Sequence, residues 1–90
     1  MLAVKIIPRY FAAAGAPVDV VVVSVAEGSE AERAGLAAGD VLVSVDGVAV
    51  HSMREARARL AGAIADDAVV TLRRGDQPLT LRVTREAVRR

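Results

Sequence analysis

The stretch Glu27–Asp40, EGSEAERAGLAAGD, decides the fold because it contains a helix start, a helix end and a tight turn in close succession. Ser29 and Glu32 fit a capping box, in which the serine hydroxyl accepts a backbone N–H and the glutamate reaches back toward the start of the helix. Gly35 is well placed for the left-handed conformation that ends a helix. The pattern therefore predicts a short helix, followed by a turn at Gly39 into the next element.

The segments on both sides of this helix are predicted to be strands. Val18–Val25 is a β-branched run, too short for a stable lone helix, and reads as a buried strand. In Val41–Val45 the valines at 41, 43 and 45 share one face, and Asp46-Gly47 follows as a tight-turn signal. Near the start, Leu2–Ile7 is predicted to be a short strand that ends at Pro8.

Two further helices are predicted. Arg9–Ala14 is predicted to form one or two helical turns. Ser52 and Glu55 make a second capping box, which opens a longer helix over residues 53–64. Four apolar residues at helical spacing form its apolar stripe: Met53, Ala56, Leu60 and Ile64.

Near the end of the chain, apolar and polar residues alternate as in a half-buried antiparallel hairpin. Its strands are predicted at Val69–Arg73 and Leu79–Thr84. A frayed tail is predicted from about Arg85. The order of elements predicts an α+β, mainly β class: a partly open antiparallel barrel of about five or six strands, capped by two helices. We expect one domain over residues 1–85 and a tail over residues 86–90.

Composition excludes several function classes. Of the 90 residues, 53% are hydrophobic but only two are aromatic, and the net charge is +1, which argues against nucleic-acid binding. The absence of cysteine excludes disulfides, thiolate metal sites and thiol catalysis. No apolar stretch approaches the roughly 18 residues of a membrane span, so no membrane insertion is predicted, and no signal peptide is predicted in this sequence.

Catalytic and metal sites are not predicted either. The aspartates lack metal-ligand spacing, and each has an explanation as a turn or cap residue. His51 is the only histidine, and its neighbour Ser52 is explained as a helix cap. We therefore expect no cofactor, no metal and no enzyme activity from this chain, and His51 is expected to be a solvated loop residue.

At this point the residues resemble a known family. Glu27–Leu42 is similar to the GSPAERAGLRPGDVI signature of PDZ domains in bacterial proteases, and Val45–Val50 (VDGVAV) is similar to their VNGxxV turn. The resemblance covers nearly the whole chain. The order of elements resembles the permuted bacterial form, as in HtrA/DegP-like serine proteases.

The resemblance implies a peptide site formed by strand addition. In that family an extended peptide pairs with a strand edge beside the longer helix, and a loop of backbone N–H groups holds the terminal carboxylate. The family's LGV-like triplet corresponds to Leu2-Ala3-Val4 here, with Ala3 in place of glycine, and alanine resists a positive φ. Carboxylate capture and recognition of internal segments therefore both stay open. The implied binding residues are Leu2, Ala3, Val4, Lys5 and Ile6 on the strand side, with Leu2, Val4 and Ile6 as the groove floor, and Met53, Arg57, Leu60 and Ala61 on the helix wall.

The predicted function is thus peptide binding, as the recognition or regulatory part of a larger bacterial protease. The expected partners are protein C-termini or unfolded segments, and a covalently linked protease domain. The parent protein is expected to be periplasmic, otherwise extracytoplasmic, or membrane-anchored. The alternative is a docking or oligomerisation module of an envelope or secretion assembly that binds no free peptide.

Overall fold

Six antiparallel strands and two short helices make up residues 1–9 and 19–87, the part of the chain that this computed structural model describes. The strand order is β1-β2-β3-β5-β6, and the short β4 pairs with β3. This open sheet with two helices confirms the predicted α+β fold class. The elements are β1 Val4–Arg9, β2 Asp19–Val25, α1 Glu30–Ala34, β3 Val41–Val45, β4 Val48–Ala49, α2 Met53–Leu60, β5 Asp67–Arg74 and β6 Gln77–Thr84.

Both predicted helix starts are confirmed in their serine half. The Ser29 side chain accepts the Glu32 N–H at 3.1 Å, and the Ser52 side chain accepts the Glu55 N–H at 3.1 Å. Each glutamate, however, accepts an N–H one residue before the cap, from Gly28 in the first case and from His51 in the second. In the first case the reason is visible, because the N–H of Ser29 already donates to a carbonyl oxygen in the preceding turn.

The C-terminal part of the predicted longer helix is wrong. Helix α2 ends at Leu60, the next residue Ala61 is extended (φ −71°, ψ 149°), and Ile64 is 66% exposed instead of continuing the apolar stripe. The last carbonyl groups of α2 are capped by a side chain from the far end of the domain, Arg85, instead of by another helical turn. Residues 61–66 therefore form a non-helical connection to β5.

Strand β3 departs from simple alternation. Val41 and Leu42 are both buried, whereas Val43 is exposed, because the pairing with β5 slips by one residue between Leu42 and Ser44. A β-bulge of this kind turns one residue away from its expected face. The predicted shared face of alternate valines is therefore wrong for Val43.

The first strand also differs from its prediction. Pro8 lies inside β1, which runs to Arg9, because an edge strand tolerates a residue without an N–H. Arg9 is therefore extended instead of helical. The remainder of the predicted small helix, residues 10–14, lies outside the described residues, as does Val18 of the predicted second strand.

Aliphatic side chains form the described core between the sheet and the two helices. Helix α1 packs on β6, and helix α2 packs on β1 and β3. The fully buried members are Leu2, Val20, Val22, Ala31, Val45, Ala56, Leu60, Ala68, Val70, Leu72 and Val83. Many of these side chains are small, valine or alanine. Two arginines add hydrogen bonds that fix neighbouring elements to one another.

One such constraint is an ion pair between Asp40 and Arg74. Asp40 is 1% exposed, and its carboxylate accepts from Arg74 Nε at 2.8 Å and Nη2 at 2.9 Å, and from the Ala37 N–H at 2.9 Å. The Arg74 guanidinium also donates to the carbonyl of Gly35 at 2.7 Å. These bonds, chiefly those from Arg74, lower the pKa of Asp40. They fasten the end of α1 and the turn before β3 to β5.

Arg85 provides the second constraint. It was predicted to begin a frayed tail, but it is 8% exposed. Its guanidinium donates to the carbonyls of Leu60, Arg59 and Asp67 and to the Asp46 carboxylate, at distances from 2.9 to 3.3 Å. The prediction of a frayed tail is therefore wrong at Arg85 itself. Its guanidinium donates charge-assisted hydrogen bonds to carbonyl groups at the end of α2 that have no partner within the helix.

Gly62 leaves space for the Arg85 side chain. A Cβ on Gly62 would lie 2.7 Å from Arg85 Nε, so the absence of a side chain at Gly62 makes room for the guanidinium.

The backbone of Glu86 exchanges two hydrogen bonds with Met1, at 3.1 and 2.8 Å. The domain boundary at residue 85 stays a prediction, with Glu86 joined to the first residue.

Asp40→Asn tests the first constraint through pH. The pKa of Asp40 and that of Asp46, which accepts the Val69 N–H and Arg85, are both lowered in the folded state. The ionised carboxylates therefore stabilise the folded state fully above the unfolded-state pKa of about 3.9. This stabilisation is lost as the pH falls below that value. At pH 7 we expect Asp40→Asn to lower the free energy of unfolding by about 1–3 kcal/mol, and the difference to shrink below pH 4. Urea unfolding at pH 7, 4 and 3 measures both quantities.

The matched control for this experiment is Asp76→Asn in the exposed turn of the β5–β6 hairpin, which should change neither quantity. A deficit of Asp40→Asn that stays constant from pH 7 to pH 3 would contradict the assigned role of the carboxylate.

Arg85→Lys tests the second constraint. Lysine keeps the charge but cannot reach the carbonyls of Arg59, Leu60 and Asp67 together, so the free energy of unfolding should fall by about 1–3 kcal/mol. Amide hydrogen exchange should accelerate first in the last turn of α2. Arg82→Lys is the control, because Arg82 is exposed and its ion pair to Asp67 is long at 3.8 Å. Equal losses in the two variants would refute a specific role for Arg85.

Candidate functional site

The open edge of β1 beside α2 is the candidate site. β1 is the last strand at one end of the sheet, and within the described residues it pairs only with β2. Helix α2 lies against β1. Along β1 the side chains alternate, with Val4 and Ile6 half-buried and Lys5 and Ile7 exposed. The surface between the open edge of β1 and α2 is called the groove below.

The orientation of the Ile6 backbone follows from its partner in β2. Val22 donates its N–H to the Asp40 carbonyl at 2.8 Å and accepts the Gly39 N–H at 2.7 Å, so both of its backbone groups are directed toward β3. Val22 lies opposite Ile6. Opposing residues of an antiparallel pair either exchange both hydrogen bonds or turn both groups outward. The N–H and C=O of Ile6 therefore point to the open edge of the sheet.

The loop before β1 holds alanine without strain. Val4 donates its N–H to the Leu2 carbonyl at 2.9 Å, and the Ala3 carbonyl accepts the Ala26 N–H at 2.8 Å. Asp46 and Ala65 are the non-glycine residues with positive φ in the described part of the chain, so Ala3 has an ordinary φ. Alanine therefore fits here, where the family pattern has glycine.

The same loop has two backbone donors to which no described residue gives a partner. Among residues 1–9 and 19–87, neither the Leu2 N–H nor the Ala3 N–H donates a hydrogen bond. Consecutive backbone N–H groups of this kind can bind an anion.

The sequence-predicted site residues divide into two groups. Leu2 and Leu60 are each 1% exposed and belong to the core, as does Ala3 by its burial, so these side chains support the groove from beneath. Helix α2, which carries Met53 and Arg57, lies against β1, and the assignment of a binding role to these residues stays a prediction. The residues that keep surface are Val4, Ile6 and Met53, which are half-buried, and Lys5, Arg57 and Ala61, which are exposed.

A separate cavity of about 330 Å³ lies next to Ala3. Two carboxylates, Glu27 and Glu86, border it, and Glu86 Oε1 accepts the Glu30 N–H at 2.8 Å. This negative charge disfavours an anion there. The lining residues are Ala3, Ala26, Glu27, Gly28, Ser29, Glu86 and Ala87.

Other kinds of site have little support in the described residues. Residues 1–9 and 19–87 contain no group of three His, Asp or Glu side chains placed to hold a metal ion. None of their helices is both long and apolar enough to cross a membrane. His51 is exposed, and the neighbouring Ser52 hydroxyl is occupied as the cap of α2.

Sequence reasoning missed Arg74 and Arg85, the two arginines that hold the surroundings of the groove in place. Their partners lie 18 to 39 residues away along the chain, and no local pattern points to them. Gly62 lies inside the helix that the sequence predicts, and it was the one signal for Arg85, since a glycine there makes room for a side chain.

Solved structures of similar fold include two proteases. The photosystem II D1 C-terminal processing protease is 32% identical, with a TM-score of 0.80, over 98% of this chain and 24% of that protein. The HtrA-type protease AlgW, solved with a decapeptide, is 21% identical, with a TM-score of 0.80, over 93% of this chain and 28% of that protein. The chain thus spans less than a third of either protease.

A third similar structure is an isolated domain, and a family model agrees with it. The HtrA3 PDZ domain bound to a phage-derived ligand (FGRWV) is 20% identical, with a TM-score of 0.74, over 93% of this chain and 82% of that one. No curated protein matches the chain in sequence. The family model described as PDZ domain matches residues 21–74, more than half of the chain. Together with the open strand edge beside α2, this match shows that the chain belongs to the PDZ domain family.

Proposed function

We propose that this domain binds an extended peptide segment as an additional antiparallel strand on the edge of β1. The observation that carries the proposal is the orientation of Ile6, whose N–H and C=O both face the open edge beside α2. Main-chain hydrogen bonds of this kind supply affinity with little dependence on sequence, and side-chain pockets add selectivity. Two of the similar structures, AlgW and the HtrA3 PDZ domain, were solved with peptides, which supports the same use of this groove.

The end of the peptide is proposed to be held by the loop before β1. The N–H groups of Leu2 and Ala3 are the donors for a terminal carboxylate. The ordinary φ of Ala3 removes the backbone objection to this role, because no left-handed conformation is needed there. An antiparallel peptide with its carboxylate at this loop extends toward Pro8 with its amino end.

The walls of the groove are proposed to choose the side chains. Val4, Ile6 and Met53 present half-buried apolar surface, and Arg57 places an exposed cation one helical turn after Met53. Leu2 and Leu60 hold this surface from below. Affinity is expected to be weak, since ordering a flexible peptide offsets much of the contact energy.

At the level of the whole protein, we propose that this domain serves as the recognition or regulatory part of a larger bacterial protease, located outside the cytoplasm. The support is the resemblance of the fold to domains that make up about a quarter of two proteases. The partners would be C-termini or unfolded segments of other proteins and a linked protease domain. The linked protease domain would catalyse cleavage, and this domain would bind the peptide.

The proposal is tested by an NMR titration of the ¹⁵N-labelled domain with peptides that have free or amidated C-termini. We expect chemical-shift changes at residues 2–7 and 53–61. Changes that disappear on amidation would identify carboxylate capture, and changes that survive it would identify recognition of internal segments. If no peptide causes changes at these residues, the proposed peptide binding is wrong.

A matched pair of variants locates the groove. Met53→Lys places a charge on the half-buried wall and should weaken peptide binding about fivefold or more, because apolar contact surface is lost. Ile7→Lys places the same charge on β1, on the exposed face of the strand, and should leave affinity unchanged. Fluorescence polarisation with a labelled peptide measures both. Equal effects of the two substitutions would contradict the assignment of the groove.

A second candidate function is docking to another domain or subunit without free-peptide binding. The observation that favours it is a set of exposed large apolar side chains, one on each of the first four strands: Ile7, Val23, Val43 and Val48. Sedimentation velocity of the isolated domain would support this candidate if the domain self-associates and Val43→Lys restores the monomer. A monomer at all concentrations, together with peptide binding, would support the first candidate alone.

A further inference from the structure

Pro8 interrupts the open edge at which strand addition is proposed. It lies opposite Val20, two positions along from the Ile6–Val22 pair and with no irregularity between the two pairs. Backbone directions repeat every second residue of a strand, so the nitrogen of Pro8 faces the open edge, as the N–H of Ile6 does. Proline has no N–H, and the edge therefore lacks a donor at this position.

The groups that β1 offers to a ligand can be counted in the same way. Val4 lies two positions before Ile6 on β1, and the extra residue of the register shift between Lys5 and Ile6 is on β2, so Val4 faces the open edge as Ile6 does. The Val4 N–H is already bonded to the Leu2 carbonyl. The edge of β1 thus offers the carbonyls of Val4, Ile6 and Pro8 but a single N–H, that of Ile6.

Within the described residues, the edge offers nothing beyond Pro8. Arg9 is the last residue of β1, lies opposite Asp19 and is directed toward β2 by the same alternation. Its guanidinium bonds the Asp19 carboxylate at 2.8 Å. Among residues 1–9 and 19–87, Pro8 is therefore the last position at which this edge can bond a ligand strand.

We propose that Pro8 limits strand addition to a ligand segment of about five residues, from the residue opposite Val4 to the residue opposite Pro8. This inference rests on the proposed peptide binding at β1. The ligand residue opposite Ile6 exchanges two hydrogen bonds with the domain. The ligand residue opposite Pro8 donates its N–H to the Pro8 carbonyl, but its own carbonyl finds no donor and stays in water. The ligand chain then leaves the sheet, so the site suits short tails of folded proteins as well as unfolded chains.

The first test is the length dependence of binding by the unmodified domain. The probes are the tightest-binding pentapeptide of the titration and its extension by three alanines at the amino end, both acetylated. Isothermal titration calorimetry should give affinities within about twofold of each other, because the added residues meet no donor on β1. A gain of tenfold or more on extension would overturn the limit.

The second test supplies the missing donor. In Pro8→Val the new N–H is directed at the carbonyl of the ligand residue opposite position 8, and one net hydrogen bond should raise pentapeptide affinity about two- to tenfold. The control is the same pentapeptide with an (E)-alkene in place of the peptide bond that holds this carbonyl, for which the gain should vanish. An unchanged thermal midpoint and NMR spectrum would show that the variant folds. No gain for the unmodified pentapeptide would overturn the role of Pro8.

A third measurement separates the failure of this inference from failure of the proposed function. N-methylation of the ligand residue opposite Ile6 removes a hydrogen bond to β1, whereas N-methylation of the next residue toward the C-terminus does not. N-methylation opposite Ile6 should weaken binding to the unmodified domain and to Pro8→Val about tenfold. N-methylation of the next residue should leave both affinities unchanged. Equal effects would refute strand addition on β1 itself. A selective effect without a gain in Pro8→Val would leave strand addition in place and refute only the length limit.

Discussion

The hydrogen bonding of Val22 to the turn at Gly39-Asp40 is the constraint on which the candidate site depends. Because Val22 commits both backbone groups to that side, Ile6 on the next strand must turn both of its groups outward. The turn itself is held by the Asp40 carboxylate, which is buried and bonded to Arg74 on β5. The ion pair between Asp40 and Arg74 thus holds the turn that bonds Val22, and the pairing of Val22 with Ile6 sets the groups at the open edge.

The other wall of the groove depends on Arg85. Helix α2 is only eight residues long, and an isolated helix of that length is unstable in water. Its last carbonyls are satisfied by a guanidinium that also bonds the β3–β4 turn through Asp46 and the start of β5 through Asp67. The helix is therefore capped at its start by Ser52, and Arg85 joins its end to the sheet.

Local sequence patterns predicted the elements with good accuracy where the physics is local. The serine caps at 29 and 52, the left-handed Gly35 and the Asp46-Gly47 turn are all present, because each involves a few consecutive residues. The predictions failed where a distant residue intervenes. Helix α2 ends early because Arg85 takes its carbonyls, and Val43 turns outward because the register with β5 slips.

The candidate site shows the same division. The resemblance in Glu27–Leu42 indicated the fold and the strand edge beside the longer helix, and the structure brings the strand and helix residues together there. It did not separate Leu2 and Leu60, which are buried beneath the groove, from Met53 and Arg57, which keep surface. Sequence by itself determined the element types, the caps, the turns and the family, since these depend on neighbouring residues. Only the tertiary structure decided which backbone groups are left over for a ligand, because strand register and burial depend on pairing between residues far apart in the chain.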